Sequence, residues 1–71
     1  MTTIAKRIQN LMTFYVMYSE QVDKVFTVAE EEKDDVRFMR DRYALWIKEE
    51  LEALRELGID VQGFGYIERT E

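Results

Sequence analysis

The sequence predicts an all-α protein: an antiparallel two-helix hairpin over about 3–29 and 34–57, with a short extended C-terminal tail at 59–71. Three observations support this fold. There is no proline, and the three glycines all lie at or after Gly58, so the usual helix breakers are missing from most of the chain. Apolar residues recur at helical spacing in two long segments. A polar run separates the segments, and 71 residues suffice for one domain.

The first helix is predicted to begin after Thr2 or Thr3, whose hydroxyl can cap free amides. Its apolar residues alternate spacings of four and three, a heptad pattern that lines one face of a helix. They are Ile4, Ile8, Leu11, Tyr15, Tyr18, Val22, Val25 and Ala29. We call this row the heptad seam, and we expect it to face a partner helix.

The polar run EEEKDD at 30–35 is interpreted as the turn and the start of helix 2. Asp34 or Asp35 is the predicted cap, and acidic side chains suit the first turn of a helix. Because neither Gly nor Pro interrupts this run, one continuous helix is the alternative. The hairpin is favoured, since helices beyond about 25 residues are uncommon in globular domains.

Helix 2 has apolar residues along one side, and its end is marked by a glycine. Gly58 can adopt the left-handed conformation of a C-terminal cap, which would bring Ile59 against Leu54. Beyond it, the tail is predicted to fold back over the helices or to pair with its copy in another subunit. The apolar residues predicted to line the helix are Val36, Met39, Tyr43, Trp46 or Ile47, Leu51, Leu54 and Leu57.

The apolar content predicts self-association. Hydrophobic residues make up 46% of the chain, more than a single hairpin can cover. Seven of the eight residues in 11–18 are apolar or aromatic, so they cannot all face one helix. We expect a homo-oligomer, most simply a dimer forming a four-helix bundle. The interface residues predicted for self-association or for another protein are Leu11, Met12, Phe14, Tyr15, Met17, Tyr18, Phe38 and Leu45.

A basic stripe on helix 2 is a candidate anion site. Lys33, Arg37 and Arg40 recur at i, i+4 and i+7 beside Tyr43, and guanidinium groups suit phosphate. A nucleotide is the ligand this arrangement would fit. The favoured alternative is a solvated face whose cations pair with nearby carboxylates, because such stripes are common on helices.

An acidic stripe follows on the same helix. Glu49, Glu52 and Glu56 lie at helical spacing, and they could imitate a phosphate backbone towards a protein that normally binds nucleic acid. Ordinary surface solubility explains the same residues. We keep them as a candidate acidic partner face.

The residue types argue against catalysis. The chain has no Cys and no His, which removes the thiol nucleophile, the commonest general base and the commonest zinc ligand. We therefore predict no enzyme, no cofactor and no metal site. A net charge of −5 argues against direct binding of nucleic acid.

The sequence also predicts a cytoplasmic location. The first ten residues, MTTIAKRIQN, show no signal-peptide pattern. The longest apolar stretch, 11–18, is too short to span a bilayer.

Three functions remain open. The favoured one is a helical interaction protein that self-associates and binds another protein as an adaptor or regulator. The second is a small acidic inhibitor, of the type that phages and mobile elements encode, that blocks a larger enzyme or nucleic-acid machine. The third is an oligomer that binds a small anionic ligand, such as a nucleotide, at a subunit junction.

Overall fold

A computed structural model describes residues 3–68, which form two long packed helices and a tail that returns to them. Helix α1 spans Thr3–Val25, a 3-10 turn spans Glu30–Glu32, α2 spans Lys33–Glu56 and the one-turn α3 spans Gly65–Glu68. The predicted all-α class and the helical hairpin are confirmed, and the continuous-helix alternative is wrong. Thr2, one of the two predicted caps, lies outside the described residues, as do the last residues of the predicted tail.

Helix α1 ends at Val25, four residues earlier than predicted. The amides of Thr27 and Val28 both donate to the carbonyl of Lys24, at 3.1 and 3.0 Å, which closes the helix. Both are β-branched residues, which lose side-chain freedom in a helix. Ala29, the last residue of the heptad seam, therefore lies in extended backbone before the 3-10 turn.

The acidic run 30–35 is helical throughout, and neither aspartate caps α2. The residue at the N-cap is Glu32, whose backbone is helical and whose side chain makes no capping bond. The cap prediction is wrong because the 3-10 turn runs directly into α2 and leaves no extended residue from which a cap could act. Asp34 and Asp35 do lie in the first turn of α2, as predicted.

The C-terminal end of α2 is the glycine cap that the sequence predicted. Gly58 has a φ of +85°, a conformation that residues with a Cβ rarely adopt. The amides of Gly58 and Ile59 donate to the carbonyls of Arg55 and Leu54, both at 2.9 Å, which is the hydrogen-bond pattern of a Schellman motif. Ile59 packs against the core.

The core is small, and α2 supplies most of it. Its fully buried apolar residues are Leu11, Ala44, Ile47, Leu51, Leu54 and Ile67. On α1 only Leu11 is fully buried, while Ile4, Ile8 and Tyr15 of the heptad seam stay partly exposed. The hairpin therefore covers only part of the seam.

The tail folds back on one side of the helix pair. Ile67 is fully buried, and Phe64 lies edge-on to Tyr15 with 5.5 Å between ring centroids. An ion pair joins Arg55 to Glu68. The prediction that the tail returns to the helices is confirmed, but its last described turn is the helix α3 and not extended backbone.

The hairpin is a single layer of helices. Its Cα extents are 42 × 25 × 16 Å and its radius of gyration is 13.4 Å, against about 11 Å for a compact domain of this length. A stable domain usually has two packed layers. One layer alone leaves large apolar side chains on its surface.

Candidate interaction surfaces

One side of α1 has an apolar row that stays exposed in the hairpin. Ile4, Ile8, Met12 and Val16 follow one another at four-residue spacing, so they form a continuous ridge along the helix. Their exposed fractions are 37%, 39%, 65% and 55%. We call these four residues the α1 ridge.

Between residues 4 and 19, the α1 ridge and its flanks contain no charged side chain, and the first charges on this side, Glu20 and Asp23, follow after Val16 and Ser19. The other residues on this side of α1 are Ala5, Gln9, Tyr15 and Ser19. In a chain with 35% charged residues, this is an uncharged strip more than four turns long. Two copies of the strip can approach each other without bringing like charges together.

The tail adjoins the α1 ridge at Tyr15. A hydrogen bond between the side chains of Tyr66 and Tyr15, helped by burial, raises the pKa of Tyr66 to about 12. The same tyrosine is in edge contact with Phe64. Tyr15 therefore joins the ridge to the tail.

We expect the contribution of Tyr66 to stability to fall at alkaline pH. Its pKa in the folded state lies above the ordinary value of 10, so the stabilisation is complete below pH 10 and is lost as the pH rises towards 12. Tyr66→Phe should lower the free energy of unfolding by about 0.5 kcal/mol at pH 8, because Tyr66 is half exposed and one hydrogen bond is lost. Urea unfolding at pH 8–11 checks this. A difference between variant and wild type that stays constant above pH 10 would contradict it.

The side of α2 that points away from the core has two exposed apolar residues. Phe38 and Leu45, seven residues apart, are 61% and 47% exposed. The Arg42 guanidinium lies 5.7 Å from the centre of the Phe38 ring and 5.8 Å from that of Trp46. We use the name α2 outer face for Phe38 and Leu45 together with the acidic stripe, Glu49, Glu52 and Glu56.

An aromatic groove opens beside the α2 outer face. It encloses about 280 Å³ and is lined by Phe14, Trp46, Glu49 and Glu50. The rings of Phe14 and Trp46 are 5.5 Å apart, and Tyr43 supports Trp46 edge-on at 5.4 Å. We call it the Phe14–Trp46 groove.

Glu50, in the wall of this groove, forms a part-buried ion pair with Arg7. Both carboxylate oxygens of Glu50 accept from Nη1 of Arg7, at 3.2 and 3.3 Å. Glu50 is buried, so the pair neutralises a charge that would be costly alone. Sequence reasoning missed this pair. Its one signal is that Glu50 lies three residues after Ile47 and four before Leu54, on the buried side of α2.

The basic stripe of α2 is neutralised by neighbouring acids. Each cation has a carboxylate partner one or three residues away. The pairs are Lys33 with Glu30, Arg37 with Asp34 and Arg40 with Asp41, at 3.1, 3.5 and 3.0 Å. Tyr43 contacts Trp46. This arrangement agrees with a solvated face and gives no support to an anion site.

The predicted interface residues separate into buried and exposed groups. Leu11 lies in the core and is on no surface, while Phe14 and Tyr18 are half-buried against that core. The exposed members are Met12, Tyr15, Met17, Phe38 and Leu45. The structure adds Ile4, Ile8 and Val16, because they share one side of α1 with Met12.

Among residues 3–68, no three acidic side chains converge closely enough to hold a metal ion. Within the same residues, neither long helix combines the length and the apolar character needed to cross a bilayer. Comparison of the chain with protein-family models, curated proteins and solved structures found no match.

Proposed function

We propose that this chain is a helical interaction protein that self-associates through the α1 ridge. The observation that carries the proposal is the uncharged row of Ile4, Ile8, Met12 and Val16, exposed along more than three turns of α1. Large exposed apolar patches mark interaction sites. A row at four-residue spacing is also the kind of ridge that packs into the groove of another helix.

A second copy is the partner that best fits the α1 ridge. Each chain has a net charge of −5, so two copies repel each other over most of their surfaces and meet most favourably where neither is charged. A two-fold axis through the ridge would pair it with itself. Two hairpins joined in this way would form four helices in two layers.

Self-association through α1 would leave α2 available to another protein, as an adaptor or regulator in the cytoplasm requires. If the chain is instead a small inhibitor, it would bind its target through the same side of α2, which includes the acidic stripe. The hypothesis of an anionic ligand has weaker support, because the cations it needs are already paired with carboxylates.

We expect Met12→Glu to disrupt self-association. The substitution removes a methionine that the dimer would bury, which contributes roughly 1.5–3 kcal/mol. It also places a carboxylate opposite its own copy across the two-fold axis. The association constant should fall at least about tenfold. Light scattering coupled to size-exclusion chromatography, over a range of protein concentrations, measures it.

Thr13→Glu is the matched control. Thr13 is the next residue, is also exposed, and leaves the helix about 100° away from Met12. Both variants gain the same charge, so equal losses would indicate general repulsion and reject the ridge. A wild-type protein that stays monomeric at millimolar concentration would reject self-association itself.

A further inference from the structure

We infer that the α2 outer face and the Phe14–Trp46 groove bind a basic amphipathic helix of a different protein. This inference deepens the proposed interaction function, but it rests on residues separate from the α1 ridge. The two proposals can therefore fail independently. Three features support it: two exposed apolar side chains, the acidic stripe beside them, and the aromatic groove.

Two apolar side chains supply the anchors. Phe38 and Leu45 are exposed and lie about 10.5 Å apart along the axis of α2. This is the distance between residues i and i+7 of a second helix, the usual spacing of apolar contacts when an amphipathic helix docks. The guanidinium of Arg42 lies 5.7 Å from the centre of the Phe38 ring.

Acidic side chains border the anchors and select a cationic partner. Glu49 and Glu56 form no ion pair with any side chain of residues 3–68. Glu52 lies near the charge of Arg55. The negative charge of these three carboxylates favours a basic helix. It also disfavours a second copy, whose own acidic stripe would face this one.

The groove suits one long cationic side chain. Its volume is about 280 Å³, and it is lined by two aromatic rings and two carboxylates. The methylene groups of a lysine or arginine would lie along Phe14 and Trp46, and its charged end would reach Glu49. Arg7 already neutralises Glu50, so Glu49 is the carboxylate available to the ligand.

The single tryptophan of the chain reports on this site directly. Trp46 lines the groove, so an incoming side chain changes its surroundings. The probe is a synthetic amphipathic peptide of Leu and Lys, about 18 residues long, with leucines at i, i+3, i+4 and i+7. Its counterpart has Glu in place of every Lys. We expect a saturable change in Trp46 emission with the Lys peptide and none with the Glu peptide.

Charge-reversal variants locate the binding surface. Glu49→Lys combined with Glu56→Lys should weaken binding of the Lys peptide about tenfold, because two attractive contacts become repulsive. The control combines Glu20→Lys with Asp23→Lys, which makes the same change of charge on exposed positions of α1. The control should stay within about twofold of the wild type. Leu45→Gln should also weaken binding about tenfold through loss of an apolar anchor.

Four results would overturn the inference. Three are no response of Trp46 to the Lys peptide, an equal response to both peptides, and equal losses in the two charge-reversal variants. The fourth is displacement of self-association by the peptide, since the two surfaces would then coincide. The Met12→Glu variant separates the proposals. It should bind the Lys peptide like the wild type while failing to self-associate.

Discussion

Leu54→Ala is expected to lower the free energy of unfolding by about 2–5 kcal/mol. Leu54 is fully buried, and its carbonyl accepts the amide of Ile59 in the cap that ends α2. The substitution keeps that backbone bond and removes the side chain from the centre of the core. Because a core in a chain of this size rarely supplies more than about 3–5 kcal/mol, the variant should be largely unfolded at 25 °C.

The matched control for this prediction is Leu57→Ala. Leu57 is the same residue type three positions later, but it is 46% exposed, while Leu54 is 0% exposed. Its replacement should cost less than about 1 kcal/mol. Urea unfolding followed by circular dichroism measures both variants. Equal losses would mean that Leu54 does not occupy the core.

Ile67→Ala is expected to have the second largest effect, about 2–4 kcal/mol. Ile67 is fully buried although it lies in a one-turn helix near the end of the described chain. Such a short helix has little stability of its own, so the tail stays in place through this side chain, its aromatic neighbours and the ion pair between Arg55 and Glu68. Loss of the anchor should release the tail and expose the core.

Ile67→Val provides the graded comparison. It removes one methyl group and should cost about 0.5–1.5 kcal/mol. Thermal unfolding gives the order of stability, and limited proteolysis shows whether the tail is released. If Ile67→Ala unfolded at the same temperature as the wild type, the two long helices would be stable without the tail, and the anchoring role would be wrong.

The features that depend on neighbouring residues were predictable from the sequence. The glycine cap at Gly58 was predicted because only local backbone geometry is involved. The two helices were predicted from the spacing of their apolar residues. The end of α1 was misplaced because Ala29 continues the heptad seam, and such a pattern does not show where β-branched residues close the helix.

The parts that depend on distant contacts were not predictable. Arg7 and Glu50 are 43 positions apart, and no local signal links their charges. Ile67 lies beyond three glycines, so nothing nearby indicates that it reaches the core. For Trp46 and Ile47 the sequence left the choice open. In the structure Ile47 is buried and Trp46 lies half-buried against Phe14.

The candidate surfaces were predicted in part. Met12, Phe38 and Leu45 are exposed as an interface requires, but Ile4 and Ile8 were expected to face the partner helix. At about 100° per residue, Ile8 lies roughly 60° around the helix from the buried Leu11, on the side of Met12. This side of the seam therefore adjoins Met12 and Val16 and stays exposed.

The two halves of the chain contribute unequally to the core, and this affects how the chain folds during translation. Five of its six buried residues lie between Ala44 and Ile67, and Leu11 alone comes from the first half. Since synthesis proceeds from the N-terminus, α1 leaves the ribosome before α2 and the tail, which cover Leu11. During that interval its aromatic stretch is exposed to other nascent chains. Helix pairing must then wait until α2 has emerged.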